Sequence, residues 1–302
     1  MKGTTIALVS CMFLGLEPIF GKLLLNYMPP IVVAALTTST AALILVMILE
    51  ARHKIWEIGK LTRKEFIVLL MVGLISGLMA QLIYVTGLKE STATNAVLLT
   101  RLNSLLIAFF GVIILKEKMT LNHVVGAVLM VLGVVIIATK NFSVEVKPTQ
   151  GDGLLIIAAV LWAAANILMK KYLSKVPPEV IVIGYNGFSG IILLSMTANQ
   201  IMPEFNIHVL AYLTGMIVLV SIIGRYLWYF SLEHTDACNV GLASLTIPLF
   251  GVFYSVFLLG EVLQTYQLIG GLMVFAGLVA IEIHLTSHSD VEHRLRRHHP
   301  HH

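Results

Sequence analysis

The chain has 302 residues, of which 58% are hydrophobic and only 12% are charged, and its mean hydropathy is +0.91. A soluble domain carries roughly 25% charged residues, so this composition excludes a soluble protein and predicts an integral membrane protein. The net charge of +4 does not indicate nucleic-acid binding, because the basic residues lie in loops between apolar segments. Cys11 and Cys238 lie in apolar segments, which predicts small core residues and neither a disulfide nor a metal site.

Ten apolar windows follow one another along the chain. A spanning helix needs about 20 apolar residues, and each window is close to that length. We therefore predict an all-α membrane protein with ten transmembrane helices. The predicted windows are 4–25, 30–50, 65–87, 92–115, 120–139, 153–173, 179–200, 207–231, 236–259 and 264–285. The first window is interpreted as a retained helix and not as a signal peptide, because Glu17-Pro18 interrupts its apolar core.

The basic residues indicate an orientation. If the N-terminus lies in the cytoplasm, fourteen lysines and arginines fall inside the cell and four fall outside. Cytoplasmic loops carry the excess of basic residues in membrane proteins. We therefore predict a multi-pass protein of the plasma membrane with both termini in the cytoplasm.

An internal repeat divides the chain. A shift of 144 residues places 87–137 on 231–281 without a gap, and a shift of 148 aligns the first helix of each half. The polar and glycine matches include Asn95 with Asn239, Glu117 with Glu261, Gly126 with Gly270 and Gly133 with Gly277. Five helices in each half would invert the second copy across the membrane. The predicted units are a first repeat at 1–140, an external linker at 141–152, a second repeat at 153–285 and a His/Arg-rich cytoplasmic tail at 286–302.

The repeat carries a family resemblance. The stretch SLEHTDACN at 231–239 leads into LTIPL at 245–249 and LLGE at 258–261, with weaker copies in the first half. In these residues the chain resembles the drug/metabolite transporter superfamily, in its ten-helix EamA-type branch. The resemblance implies two inverted five-helix repeats, a central substrate cavity and alternating access. It does not imply a substrate, because members carry amino acids, nucleotide precursors, cations and drugs.

Two charged residues in apolar windows are the first candidates for a substrate or coupling site. A charge at the bilayer centre costs about 2.5–3.5 kcal/mol, so Glu17 should face the bundle interior and have a partner. Arg101 lies at a matching depth in the fourth window, roughly 14 Å below the outer surface at 1.5 Å per residue, and is the expected partner. A bidentate pair of this kind is either a site or a structural link between helices.

Further polar and aromatic side chains are predicted to line the cavity. They share a depth near the middle of their windows and suit a mixed polar and apolar ligand. They are Gln81, Tyr84, Asn103, Trp162, Asn166, Tyr185, Asn186 and Trp228. The alternative for each is a hydrogen bond between packed helices. Arg225 is interpreted either as an inner gate with Glu233, His234 and Asp236, or as a residue that snorkels to the interface.

The sequence predicts a secondary active transporter and not an enzyme. No nucleotide loop, metalloprotease pair or nucleophile motif is present, so no cofactor, metal or catalytic residue is expected. The cargo is expected to be an amino acid or a related polar or amphipathic solute, with export as one direction and protons as a coupling ion through Glu17. The alternatives are a cationic drug or amine, an anionic phosphate or carboxylate metabolite, and a membrane receptor or scaffold without transport. The expected partners are a small substrate and the lipid bilayer, no nucleic acid is expected, and the oligomeric state is left open.

Overall fold

A computed structural model describes residues 2–91, 99–139, 149–198, 205–259 and 263–280. Within these ranges every regular element is a helix, so the all-α prediction is confirmed for this part of the chain. The tail at 286–302, most of the linker at 141–152, Asn95 and Glu261 lie outside the described residues.

The helices are numbered here in chain order. They are α1 (Lys2–Leu14), α2 (Glu17–Leu25), α3 (Pro30–Ala51), α4 (Trp56–Gly59), α5 (Arg63–Val72), α6 (Gln81–Lys89), α7 (Leu102–Leu115), α8 (Leu121–Ala138), α9 (Asp152–Tyr172), α10 (Pro178–Met196), α11 (Ile207–Gly215), α12 (Arg225–His234), α13 (Ala237–Ala243), α14 (Ile247–Leu259) and α15 (Thr265–Ala280). Two π-helical segments, Gly73–Ala80 and Met216–Gly224, join α5 to α6 and α11 to α12, and a short 3₁₀ segment, Ser244–Thr246, joins α13 to α14.

Membrane-spanning helices occupy most of the predicted windows. Seven continuous helical stretches are long and apolar enough to cross a bilayer: Gly3–Leu25, Pro30–Ala51, Arg63–Tyr84, Asp152–Tyr172, Pro178–Met196, Ile207–His234 and Ala237–Tyr254. Shorter apolar helices occupy the other three windows: Leu102–Leu115, Leu121–Ile137 and Thr265–Ala280. The count of ten crossings, the inversion of the repeats and the orientation stay predictions.

The first spanning stretch is broken ahead of its proline. α1 ends at Leu14, the chain turns at Gly15 and Leu16, and α2 begins with Glu17. Pro18 therefore lies in the first turn of a new helix, where its missing N–H costs no hydrogen bond. Glu17 is the first residue of α2, at the positive end of the helix dipole.

The π segments lie at repeat-related positions. The shift of 144 that aligns the repeats places 73–80 on 217–224, although the two stretches read GLISGLMA and IVLVSIIG. Each segment receives a side-chain hydrogen bond from a helix of the other half. Trp162 Nε1 donates to the carbonyl oxygen of Ser76 at 3.2 Å, and Ser10 Oγ donates to that of Gly224 at 2.8 Å. Helices of this type are rare and are frequent at functional sites.

Helices of the two halves pack against one another in pairs. α1 packs on α12, and its repeat equivalent α9 packs on α6. α3 packs on α10, and α8 crosses α15 where Gly133 meets Gly270. If each helix is replaced by its repeat equivalent, the α1–α12 pair becomes the α9–α6 pair, and the α3–α10 and α8–α15 pairs each map onto themselves. α7 also packs on α13, so contacts between the halves run along the whole bundle.

Backbone groups at the α12–α13 turn are satisfied by side chains from distant parts of the chain. Glu117 Oε1 and Oε2 accept hydrogen bonds of 2.8 Å from the N–H groups of Ala237 and Cys238 at the start of α13. Lys170 Nζ donates to the carbonyl oxygen of Thr235 at 2.6 Å, just after the end of α12. A helix end without such partners leaves orphan groups that lipid does not solvate, so these contacts fix the α12–α13 turn.

The Gly133–Gly270 crossing predicts a large effect of one added methyl group. A Cβ at Gly133 would lie 2.5 Å from the carbonyl oxygen of Gly270, and one at Gly270 would lie 2.6 Å from that of Gly133. We expect Gly133→Ala to lower the unfolding free energy by about 1–3 kcal/mol, because α8 and α15 must separate. Thermal unfolding of the purified protein measures this. Gly153→Ala is the control, since a Cβ there meets nothing within 4 Å; an equal effect at Gly153 would contradict the crossing.

The Glu117 cap predicts a second stability effect. In Glu117→Gln the amide oxygen can accept only one of the two N–H groups at the start of α13, and the NH₂ faces the other donor. We expect a loss of about 1–3 kcal/mol, the cost of an unsatisfied buried donor. Glu57→Gln is the matched control, since Glu57 pairs only with Lys60 on the surface at 3.2 Å and such pairs contribute about 0–1 kcal/mol. Equal unfolding temperatures for the two variants would contradict the role of Glu117.

Candidate functional site

The carboxylate of Glu17 meets a charge from the other half of the protein. Its Oε1 lies 4.0 Å from Nη2 of Arg225, with 44% of the Glu17 side chain and 24% of the Arg225 side chain accessible. The distance is that of an ion pair and exceeds a hydrogen bond. Glu17 begins α2 and Arg225 begins α12, so each charge stands at the N-terminal end of a helix that follows a break or a π segment.

Arg225 is held against aromatic rings. Its guanidinium carbon lies 4.8 Å from the ring centre of Tyr185, and the Tyr185 and Tyr229 rings are 6.3 Å apart. A cation over an aromatic face is attracted by the ring quadrupole. The Nε of Arg225 is buried and makes no hydrogen bond. The carboxylate of Glu233 lies 3.8 Å from Nδ1 of His234, and the ion pair of Arg225 among the described residues is with Glu17. An inner gate of Arg225 with Glu233, His234 and Asp236 stays a prediction.

Arg101 does not form the ion pair that sequence depth suggested. It stands at the N-terminal end of α7, and among the described residues Glu17 pairs with Arg225 instead. The ionisable groups that interact electrostatically with Arg101 are Tyr84, Cys11 and Glu17. The Nε of Arg101 is buried without a hydrogen bond, as is Oδ1 of Asn103 two residues along. Arg225 thus pairs with Glu17 and Arg101 interacts with it electrostatically, and the Nε of each arginine is a donor without a hydrogen bond to the described residues.

A hydrogen-bonded wall joins several predicted cavity residues. Trp228 Nε1 donates to Asn166 Oδ1 at 2.7 Å, and Asn166 Nδ2 donates to the carbonyl oxygen of Trp162 at 2.9 Å. The Tyr84 ring lies 5.4 Å from that of Trp162, and Tyr84 interacts electrostatically with both Glu17 and Arg101. These indole and amide groups bond to one another, so they shape the wall and leave the charges as the binding groups.

Two other predicted residues differ in their surroundings. Asn186 is fully buried on α10; its Nδ2 donates to the carbonyl oxygen of Val182 at 3.0 Å, and its Oδ1 has no partner. Gln81 begins α6, at the repeat position of Arg225, directly after the first π segment. The first half thus carries a neutral amide where the second half carries a cation.

Sequence reasoning missed Tyr229 and Lys170. Tyr229 lies four residues after Arg225, on the same face of α12, and interacts with it electrostatically. The four-residue spacing in the sequence already indicates that the two side chains share one face of a helix. Lys170 matches Lys22 in the repeat alignment, but its hydrogen bonds to the α12–α13 turn appear only in the folded chain.

The candidate site combines two cations and one anion, and the Glu17 and Arg225 side chains are partly accessible. Arg101 and Arg225 carry positive charge and Glu17 carries negative charge, so its formal charge is +1. Among the described residues no group of three or more histidine, cysteine or carboxylate side chains is arranged to hold a metal ion. Such an arrangement suits recognition of a charged organic solute through hydrogen bonds and ion pairs.

Comparison with known proteins gives relatives that cover most of the chain. An uncharacterized transporter of Methanothermobacter thermautotrophicus is 27% identical over 286 residues, which is 90% of this chain and 83% of the relative. One of Archaeoglobus fulgidus is 30% identical over 202 residues, 64% of this chain and 68% of the relative. A probable amino-acid metabolite efflux pump of Salmonella typhimurium is 24% identical and covers 57% of this chain and 62% of that protein.

The fold and the family agree with these relatives. One solved crystal structure superposes with a TM-score of 0.82 over 93% of this chain and 96% of its own, at 17% identity, which shows that the fold is shared. The model of the EamA-like transporter family matches residues 1–139 and 149–283. These matches confirm the resemblance seen in the repeat motifs: the chain belongs to the EamA-like transporter family.

Proposed function

We propose that this protein is a secondary active transporter that carries a small polar or amphipathic metabolite, such as an amino acid, across the plasma membrane. The observation that carries the proposal is the Glu17–Arg225 ion pair, which joins the two halves and leaves both side chains partly accessible. A purely structural ion pair in an apolar bundle is expected to be closed off from solvent. The relative named as a probable amino-acid metabolite efflux pump supports the amino-acid class.

The packing supports alternating access between ten helices in two inverted repeats with cytoplasmic termini. Helix pairs such as α1–α12 and α9–α6 are equivalent under exchange of the halves, so an opening at one end has a counterpart at the other. The site lies where Glu17 of the first half meets Arg225 of the second. Rocking of the halves would change the separation of these two charges and hence the affinity for cargo.

Glu17 is the coupling group in this scheme. An ionised Glu17 attracts Arg225, whereas a protonated Glu17 leaves the guanidinium free for a cargo carboxylate. The half-accessible Glu17 carboxylate lies where water can deliver the proton. Cargo binding releases this proton, because the ammonium group of the cargo takes its place at Glu17; proton and cargo therefore move in opposite directions, and the proton gradient drives the cargo.

Two alternatives make different demands on the site. A cationic drug or amine would be drawn to Glu17 but repelled by Arg101 and Arg225, so the formal charge of +1 disfavours it. A receptor or scaffold would bind a ligand without flux. The partly accessible charge pair between the halves favours movement over a fixed ligand.

Glu17→Gln tests the coupling. The protein is reconstituted in vesicles with a mixture of tritiated amino acids, and uptake is measured with and without a proton gradient. We expect the gradient to raise wild-type uptake and to have no effect on the variant, a loss of about tenfold or more. Counterflow without a gradient should persist, because the variant still opens to both sides.

Glu57→Gln is the control, since Glu57 pairs with Lys60 far from the site. Full gradient-driven uptake by Glu17→Gln would overturn the coupling role. Ligand-dependent thermal stabilisation with no flux of any solute would overturn the transporter proposal in favour of a receptor.

A further inference from the structure

The site contains two arginines and one glutamate, and the two arginines differ in their contacts. Arg225 faces Glu17 at 4.0 Å and lies over Tyr185, whereas Arg101 has no ion pair with a described residue. The Nε atoms of both arginines are buried and have no hydrogen bond. An unsatisfied buried donor on a charged group costs more than one on a neutral group, so an acceptor oxygen from a ligand would stabilise each Nε–H.

The planar edge of each guanidinium is suited to a carboxylate. The Nε–H and one Nη–H of arginine form a fork that binds both oxygens of a carboxylate. Tyr185 covers a face of Arg225, which leaves its edge for such contacts. Arg225 lies 4.0 Å from Glu17 and Arg101 interacts with Glu17 electrostatically, so the two arginines are the carboxylate receptors of this inference and Glu17 is its ammonium receptor.

We propose that the cargo is an amino acid with an acidic side chain, which carries two carboxylates, one ammonium group and a net charge of −1. This inference rests on the proposed function. The two carboxylates pair with Arg101 and Arg225, and the ammonium group pairs with Glu17. The net charge of the loaded site is then zero.

Other solutes leave the site charged or unpaired. An amine raises its formal charge from +1 to +2, and a neutral amino acid leaves it at +1 with one fork empty. A dicarboxylate without an ammonium group lowers the charge to −1 and places a carboxylate against Glu17. A monocarboxylate such as lactate also reaches zero but leaves one arginine fork empty. An uncompensated charge in an apolar surrounding is costly, so these solutes should bind more weakly.

The expected preference for a solute with two carboxylates, one ammonium group and a net charge of −1 is called the charge rule. It is tested by binding to the full-length protein in lipid nanodiscs. The probes are aspartate, glutamate, asparagine, glutamine, succinate, lactate and putrescine, and the readout is the rise in unfolding temperature with probe concentration. We expect aspartate or glutamate to bind about tenfold or more tightly than its amide, because an amide offers no second carboxylate. Equal affinity for acid and amide, or tighter binding of lactate, succinate or putrescine, would overturn the proposal.

Two variants assign the receptors. Arg101→Gln should reduce binding of the acidic amino acid to the level of its amide, while Arg63→Gln, on an exposed residue at the start of α5, should change nothing. The wild-type protein should bind aspartate more tightly than succinate. Glu17→Gln should reverse this order of affinity, since it removes both the partner of the ammonium group and the carboxylate that repels succinate. If Arg101→Gln fails to fold, Arg101→Lys keeps the charge without the fork and should still lower the preference for acid over amide. An unchanged preference in the folded variant would contradict the assignment.

Vesicle flux separates this inference from the function on which it rests. Transport of neutral amino acids without preference for acidic ones would refute the charge rule and leave the transporter in place. Absence of flux for every probe would refute the transporter itself.

Discussion

Lipid supplies no hydrogen-bond partners, and this constraint accounts for most of the contacts that hold the two halves together. Each polar group inside the bundle must find its partner within the protein. Glu117 therefore binds the N–H groups that open α13, and Lys170 binds a carbonyl beyond α12. Trp162 and Ser10 bind carbonyls of the two π segments. The contacts of Glu117, Trp162 and Ser10 join opposite halves, so satisfying the backbone also fixes how the halves meet.

The same constraint gives meaning to the groups that remain unsatisfied. The helix ends described above are hydrogen-bonded, but the Nε atoms of Arg101 and Arg225 have no acceptor among the described residues. The neighbouring aromatic and amide side chains hydrogen-bond to one another and do not accept from these Nε–H groups. The partly accessible Glu17–Arg225 pair lies at the same place. A site that must release its cargo cannot satisfy its binding groups permanently, which is why the unused donors favour a transport site over a structural link.

Symmetry and asymmetry have separate roles in this chain. The helix pairs and the two π segments are repeat-related, and they form the scaffold that both halves share. The charges are not repeat-related: Gln81 stands at the repeat position of Arg225, and Leu245 at that of Arg101. An inverted repeat supplies two equivalent openings, whereas a substrate needs only one set of receptors. In the proposed transporter, the departures from the repeat therefore mark the binding groups.

The sequence by itself predicted the helical class, ten apolar windows, the repeat and the charges inside apolar windows, because hydropathy and spacing are local properties. In the described part of the chain, seven of these windows hold helices long enough to span and three hold shorter ones. Only the tertiary structure decided that Glu17 pairs with Arg225 and not with Arg101. Sequence position gives the depth of a residue in the membrane, but which residues at that depth are neighbours depends on how helices distant in the sequence pack. The π segment before Arg225 also changes the face on which that residue lies, so a period of 3.6 residues misplaces it. The break at Gly15 and Leu16 likewise precedes Pro18, because the proline fits the first turn of α2.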